Sequence, residues 1–224
     1  MNIHLLTDYY IPSMEERQKE LDFCYIDNLN NPSFDKIHIF YQDTPPKVND
    51  RVILVPLNGR NTYQDYIEYA TKNIPQDDII VLANSDIYFD HSITKIKQFD
   101  LDKHVLTLTR WSSHGTEDGN RLINGNITFY KNHGCSQDVW IWKNPLLNPN
   151  QIPTDFYMGK PGCDNKIAYA FKEMGYEPIN PCLDIITYHY HQTGEASRTY
   201  NRVTDRLPPP YYFVDALTYQ MLNS

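Results

Sequence analysis

Residues 78–90 read Asp78-Ile79-Ile80-Val81-Leu82-Ala83-Asn84-Ser85-Asp86-Ile87-Tyr88-Phe89-Asp90. The unbroken apolar run from Ile79 to Ala83 leaves no polar face. It suits a central strand of a parallel sheet covered on both sides. The run stops abruptly at Asn84, Ser85 and Asp86. In open α/β sheets ligands bind beyond the carboxyl ends of the strands, so polar groups at such a stop are expected to carry function. Asn84 and Asp86 are two residues apart and, in an extended segment, point to the same side. An amide oxygen and a carboxylate aimed at one point make a hard donor set, suited to Mg²⁺ or Mn²⁺ held largely by a diphosphate. The structural alternative is a polar turn in which Asp86 or Asp90 caps a helix near Ser92.

Outward from this run, strand-like and helix-like segments alternate. Ile3 to Leu6 is a short apolar run ending at Thr7-Asp8. A polar helical stretch covers 14–29, and KIHIFY (36–41) and RVILVPL (51–57) read as strands. Over 62–74, Tyr63, Ile67, Ala70 and Ile74 line one face of a helix for which Thr62 is an N-cap. A short helix is expected at 92–99 and a strand at 104–109. Residues 1–110 therefore read β-α-β-β-α-β-α-β, which predicts an open α/β sheet with helices on its faces.

Farther on, the polar, Gly- and Asn-rich stretch 112–136 reads as loop or hairpin, DVWIW (138–142) as a strand and 145–160 as a loop. A helix over 164–174 has Asp164 as its cap and Gly175 as its stop. A strand over 183–191 places His189 and His191 on one face. After 192 the chain is polar, then runs through Pro208-Pro209-Pro210 into an aromatic tail. The expectation is one domain, 1–191, with a nucleotide-binding half (1–111) and an acceptor half (112–191). Residues 192–224 form a strap or lid on the same body.

Composition narrows the function classes. The chain has 224 residues, 41% apolar and 21% charged, long enough for a sizeable core. Its net charge of −8 excludes a general basic footprint for nucleic acid, and an anionic ligand would need local cations or a metal. No apolar run approaches the roughly 20 residues of a membrane span, and the first residues lack the pattern of a secretory signal, so a cytoplasmic protein is expected. Cys24, Cys135, Cys163 and Cys182 form no CxxC pair and read as free thiols. There is no Gly-rich dinucleotide fingerprint, Walker-type lysine loop, GxSxG elbow or HExxH motif.

The candidate site residues follow the strand ends. Thr7, Asp8 and Tyr9 follow the first strand, Arg60 and Tyr63 the third, Asn84, Ser85 and Asp86 the central one, and Arg110 and Trp111 the next. Arg60 beside a helix start favours phosphate oxygens. Asp164, at the head of a helix after Pro161-Gly162-Cys163, fits either a cap or a general base that deprotonates a hydroxyl. His189 and His191 fit metal or phosphate contacts, with His191 at the strand end. Asp138 fits sugar hydroxyls, Trp111 a stacking sugar ring, and Arg198 a leaving diphosphate.

The ordered set GRNTYQDYI (59–67), NSDIYFD (84–90), LTRW (108–111), SQDVWIW (136–142), PGCDNKIAYAF (161–171), NP (180–181), TYHYH (187–191) and SRTYN (197–201) resembles a family of small nucleotide-sugar glycosyltransferases with the GT-A fold. That family includes the compact glycosyltransferase domain encoded by large algal viruses. The likeness spans about Arg51 to Tyr200. It implies a Rossmann-like, open mixed sheet, mostly parallel and flanked by helices. It also implies a nucleoside-diphosphate-sugar donor with UDP as the expected carrier, a hydroxyl acceptor such as a glycan, and Mn²⁺ or Mg²⁺. Carried over residue by residue, Thr7 to Tyr9 and Arg60 line the nucleotide pocket, and Ser85 and Asp86 meet ribose and metal. Asp164 falls where inverting members place their catalytic carboxylate. The histidine strand and Arg198 approach the diphosphate. Asn84 departs from the family's acidic first position, an amide being a poorer ligand than a carboxylate. Two other functions stay open at this level: a non-catalytic nucleotide-sugar or glycan-binding module, and a sugar-phosphate nucleotidyltransferase.

Overall fold

The alternation of the strands builds the architecture. In a computed structural model, which describes residues 1–112, 121–123, 127–129, 133–193 and 201–222, the elements run in order as follows. The first half contains β1 (Ile3–Tyr9), α1 (Glu15–Asn30), β2 (Lys36–Tyr41), β3 (Val52–Pro56), α2 (Tyr63–Asn73), β4 (Ile79–Ala83), β5 (Ile87–Phe89), a 3₁₀ helix (His91–Gln98) and β6 (His104–Leu108). Then come β7 (Trp111–Ser112), β8 (Arg121–Ile123), β9 (Ile127–Phe129), β10 (Val139–Lys143), α3 (Cys163–Glu173), β11 (Glu177–Ile179), β12 (Thr187–His189) and α4 (Tyr219–Leu222).

Seven strands form the main sheet in the order β11-β6-β10-β4-β1-β2-β3. All neighbours are parallel except β10, which runs antiparallel to both β4 and β6. As the continuous apolar run of 79–83 predicts, β4 lies inside the sheet and is buried along its whole length. The period of two sorts the side chains into two cores. Leu5, Ile39, Val81, Leu106 and Ile141 face one side, towards the 3₁₀ helix and the second sheet. Leu6, Phe40, Leu82, Val105 and Trp140 face the other, where Tyr63, Tyr66, Ile167 and Phe171 of α2 and α3 cover them. Each such fully buried side chain contributes about 1.5–3 kcal/mol. The outcome is a mixed, mostly parallel α/β sheet in a single domain, the predicted fold class.

A second sheet, β5-β12-β7-β9-β8, accompanies the main one and includes β5 and β7, which the sequence expectation lacks. The expected long strand over 183–191 is only β12, because Pro181 to Ile185 fold into a turn whose carbonyl and amide groups bond one another. The stretch 112–136 contains the β8–β9 hairpin pairing.

Local chemistry sets the helix ends. Thr62 caps α2 in a reciprocal capping box with Asp65. The first amides of α2 are spent: Tyr63 N–H donates to Phe156 O and Gln64 N–H to Thr154 O. The start of α2, expected to favour a phosphate beside Arg60, is thus closed by the loop 145–160. Asp164 does not cap α3. The N-cap is Gly162, held at φ +82°, and Asp164 sits in the first turn. Residues past 201 lie along α3 and β11, with Leu207 N–H on Pro161 O, Tyr212 N–H on Asn165 O and Leu217 N–H on Asn180 O. None of the four cysteines is in a disulfide. Among the described residues no helix is long and apolar enough to cross a membrane.

Candidate active site and cation site

The polar strand ends gather into three groups. The first lies where β4, β10, β6 and α3 meet. Asn84 and Asp138 are cross-strand neighbours, and Asn84 Nδ2 donates to Asp138 Oδ1 at 2.8 Å. Arg110 donates to Asp138 Oδ2 at 2.8 Å and to Ser136 Oγ at 2.7 Å. Asp164 comes in from α3. Burial, and then the negative charge of Asp138, push its carboxyl up to about 7, against the pull of the Cys163 thiol and Arg110. Cys163 Sγ–H donates to Asp164 Oδ1 at 2.9 Å, and Tyr63 O–H reaches Cys163 Sγ at 3.6 Å. A carboxyl poised near neutrality, with a second carboxylate and a guanidinium beside it, is able to accept a proton from a bound hydroxyl.

The second group lies on the α1 side. Asp86, His189 and His191 place one ligand atom each within 4.8 Å of one another. His189 Nε2 is 3.2 Å from Asp86 Oδ2, and the two imidazoles meet edge to face with centroids 5.2 Å apart. One carboxylate and two imidazoles fit a divalent transition ion such as Mn²⁺ better than Mg²⁺, which prefers oxygen ligands alone. Burial by itself would raise the Asp86 carboxyl. The neighbouring His189 and Arg17 outweigh that and hold it well below the usual range. Burial lowers His191 below the ordinary histidine value, with Asp86 opposing.

The third group is Asp8 with Tyr66 and Arg60. Tyr66 O–H donates to Asp8 at 2.5 Å. Burial pushes Asp8 up to about 6, resisted by that bond and by the Arg60 charge. Arg60 itself donates to Met158 O and lies 5.7 Å from the Tyr157 ring centroid.

Several predicted residues go elsewhere. Asn84 and Asp86 do not point to one place. The chain turns at Ser85, with Ile87 N–H on Asn84 O, so Asn84 joins Asp138 while Asp86 joins the histidines. Tyr63 is fully buried, edge-on to Trp140. Trp111 is 7% exposed and its indole N–H is bonded to Cys182 O, so its ring is core rather than a platform for a sugar. Thr7 is buried, and Tyr9 turns to α1, where its hydroxyl bonds Asp22. Ser85 stays half-buried at the turn. Arg198 lies outside the described residues. The loop 145–160 borders a groove of about 270 Å³ with Gln64, Ile67 and Glu68 of α2, sharing no residue with the three groups.

Sequence reasoning missed Arg17, Glu20 and Cys163. A signal existed for the first two. Arg17, Glu20, Leu21, Cys24 and Asn28 follow helical spacing and are the buried face of α1. Charges on a buried face are costly unless paired, so Arg17 and Glu20 on that face imply partners packed against α1.

The sheet order and the antiparallel β10 define the chain as a Rossmann-like α/β domain, the fold of nucleotidyltransferases and GT-A glycosyltransferases alike. Among solved structures it is similar to the mannosyltransferase PcManGT from Pyrobaculum calidifontis, determined in complex with GDP-Man and Mn²⁺, with a TM-score of 0.52 and 12% identity over 86% of this chain and 58% of that one. It is also similar to the 2-C-methyl-D-erythritol 4-phosphate cytidylyltransferase of Francisella tularensis (TM-score 0.49, 15% identity, 80% and 89% covered) and to TarS of S. aureus (0.47, 12%, 86% and 59%). At these identities the likeness is one of fold. No protein-family model and no curated protein sequence matches the chain.

Proposed function

We propose that this protein is a glycosyltransferase that moves a sugar from a nucleoside-diphosphate donor to an acceptor hydroxyl with inversion. The observation that carries the reading is Asp164. Its carboxyl, pushed up to about 7, stands at the head of α3 beside Asp138 and Arg110. A base with its pKa near the working pH both holds the right protonation state and drives proton transfer.

Asp164 accepts the proton of the acceptor hydroxyl. The acceptor oxygen bonds to the anomeric carbon from the face opposite the diphosphate, the bond from that carbon to the diphosphate oxygen breaks, and the nucleoside diphosphate leaves. One displacement inverts the anomeric centre. Arg110, fixed by Asp138, supplies positive charge at the strand ends, and Asp8, which accepts from Tyr66 O–H, would meet the nucleotide. Asp86, His189 and His191 would hold a divalent ion. When bound, such an ion neutralises charge gathering on the leaving diphosphate. PcManGT, solved with GDP-Man and Mn²⁺ on the same fold, supports the donor class and the ion.

The test is a donor screen by thermal shift and calorimetry with UDP-, GDP- and dTDP-sugars, with and without Mn²⁺. A saturating donor at about 100 times its Kd stabilises the fold by about 2.7 kcal/mol, a shift easily seen. Product analysis follows on the donor that binds. Absence of any nucleotide-dependent shift refutes the reading, and pyrophosphate release from a sugar phosphate and a nucleoside triphosphate would replace it with nucleotidyl transfer.

A further inference from the structure

The Asp86 carboxylate already has a cation. Arg17, in the first turn of α1, places its guanidinium 2.5 Å from Asp86 Oδ2, the same oxygen that His189 approaches. The guanidinium also reaches Glu20 Oε2 at 2.7 Å. The ion pairs are buried, with side-chain exposures of 10% for Arg17, 12% for Asp86 and 3% for Glu20. Glu20 is held in turn by the segment just after the histidine strand. The Gln192 and Thr193 amides donate to its Oε1 at 2.5 and 2.6 Å, and the Thr193 hydroxyl donates to Oε2 at 3.1 Å.

This arrangement sets a cation against a cation. A divalent ion on Asp86, His189 and His191 needs carboxylate charge that Arg17 now neutralises. A guanidinium in contact with a carboxylate repels an ion arriving at it, and low solvent exposure leaves that repulsion poorly screened. The guanidinium fork has another acceptor within reach, because Glu20 already takes one of its N–H groups.

We propose that Arg17 is the resident counter-cation of Asp86, and that a divalent ion loads the site only by displacing Arg17 towards Glu20. Arg17 is then a positioning residue that sets metal affinity, and Glu20 is the acceptor that makes exchange feasible. In the metal-free protein Arg17 keeps Asp86 charged and oriented, which avoids an unpaired buried carboxylate. The inference rests on the reading of Asp86, His189 and His191 as a cation site.

The experiment measures Mn²⁺ binding without donor or acceptor, by calorimetry and by the EPR signal of free Mn²⁺. It compares wild type, Arg17→Met, Glu20→Gln and Asp86→Asn. Methionine keeps much of the aliphatic stem of Arg17 and removes its charge. Arg17→Met is expected to tighten Mn²⁺ binding by about tenfold or more, and to make binding measurable if wild type binds too weakly to detect. Glu20→Gln removes the charged landing place and is expected to weaken binding severalfold, while Asp86→Asn abolishes it. If wild type binds through Asp86 and Arg17→Met binds no more tightly, displacement is wrong while the cation site stands. If Asp86→Asn binds as wild type does, or if neither wild type nor Arg17→Met binds at millimolar Mn²⁺, the cation site itself fails and the inference falls with it. If Arg17→Met does not fold, Glu20→Gln decides: unchanged or tighter binding overturns the proposal.

Discussion

Replacing Asp164 by Asn separates catalysis from stability and tests the assignment of the base in both directions. The folded protein holds this carboxyl at about 7 against an ordinary value of 3.8, through burial and the charge of Asp138. Keeping it ionised therefore costs the fold on the order of 4 kcal/mol. The group is half-buried, so solvent screens part of that, and about 2 kcal/mol is the expected net cost. The sign follows from proton binding. Between 3.8 and about 7 the folded state holds the proton more tightly than the unfolded chain, so this contribution to stability declines as pH rises through that window and is lowest above it. Asn still accepts the Cys163 thiol hydrogen bond but carries no charge. Asp164→Asn is expected to be more stable than wild type at pH 8 by about 2 kcal/mol, or about 4–8 °C in Tm, with the gap shrinking towards pH 4. Transfer falls by about 10² or more, while donor binding stays nearly intact. Urea denaturation at pH 4, 6 and 8 reads the first effect, and initial rates with donor calorimetry read the second. A stability gap that does not change with pH refutes the electrostatic account, and unchanged turnover refutes the role as base.

Other expectations follow from single sites. Burial, with the charges of His4 and Lys36, holds the fully buried His38 down at about 3, so this group costs stability as pH falls below 6.5, at about 1.4 kcal/mol per pH unit. Its ring resonances should stay constant from pH 8 to 5 in an NMR titration, and an inflection near 6.5 would contradict this. The Asn144 amide donates to Ala70 O and Ile74 O and ties the end of α2 to β10, so Asn144→Ala should cost about 2–3 kcal/mol by urea denaturation. Gly162 sits at φ +82° with the Tyr211 hydroxyl 3.1 Å from where a Cβ would stand. Gly162→Ala should cost about 1–3 kcal/mol and speed proteolysis of the 201–222 segment, and unchanged cleavage would show that Tyr211 yields without releasing the segment.

Much of the fold was legible because it depends on local periodicity. The apolar run Ile79–Ala83 could only be buried on both faces, and β4 is. The faces of α2 and α3 followed from 3.6-residue spacing, and the cap at Thr62 from one residue type. Of the second sheet, β12 lies within the strand read over 183–191 and the β8–β9 pairing within the stretch read as loop or hairpin, but β5 and β7 were not legible, because two- and three-residue pairings such as β7 with β9 carry no periodic signal and exist only through their partners. The reading of Asn84 and Asp86 as one donor pair failed for a related reason. The rule of two holds in an extended segment, and a turn at Ser85 ends that segment.

By itself, the sequence determined which polar residues stand near the ends of which strands, since an apolar run marks most of each strand, although β1 runs three residues past its apolar stretch, through Thr7 and Asp8 to Tyr9, because these pair with Ile39, Phe40 and Tyr41 of β2. That placed Asp8, Asn84, Asp86, Arg110 and Asp138 at strand ends, with Asp164 opening a helix. Only the tertiary structure decided how they combine: Asn84 and Arg110 on Asp138, Asp164 raised by burial and then by Asp138, and Asp86 shared by His189 and Arg17. The physical reason is range. Strand and helix patterns arise from neighbours a few residues apart, whereas a buried charge is settled by whichever opposite charge packing brings within a few ångströms, here from Arg17 to Asp86 across 69 residues of chain.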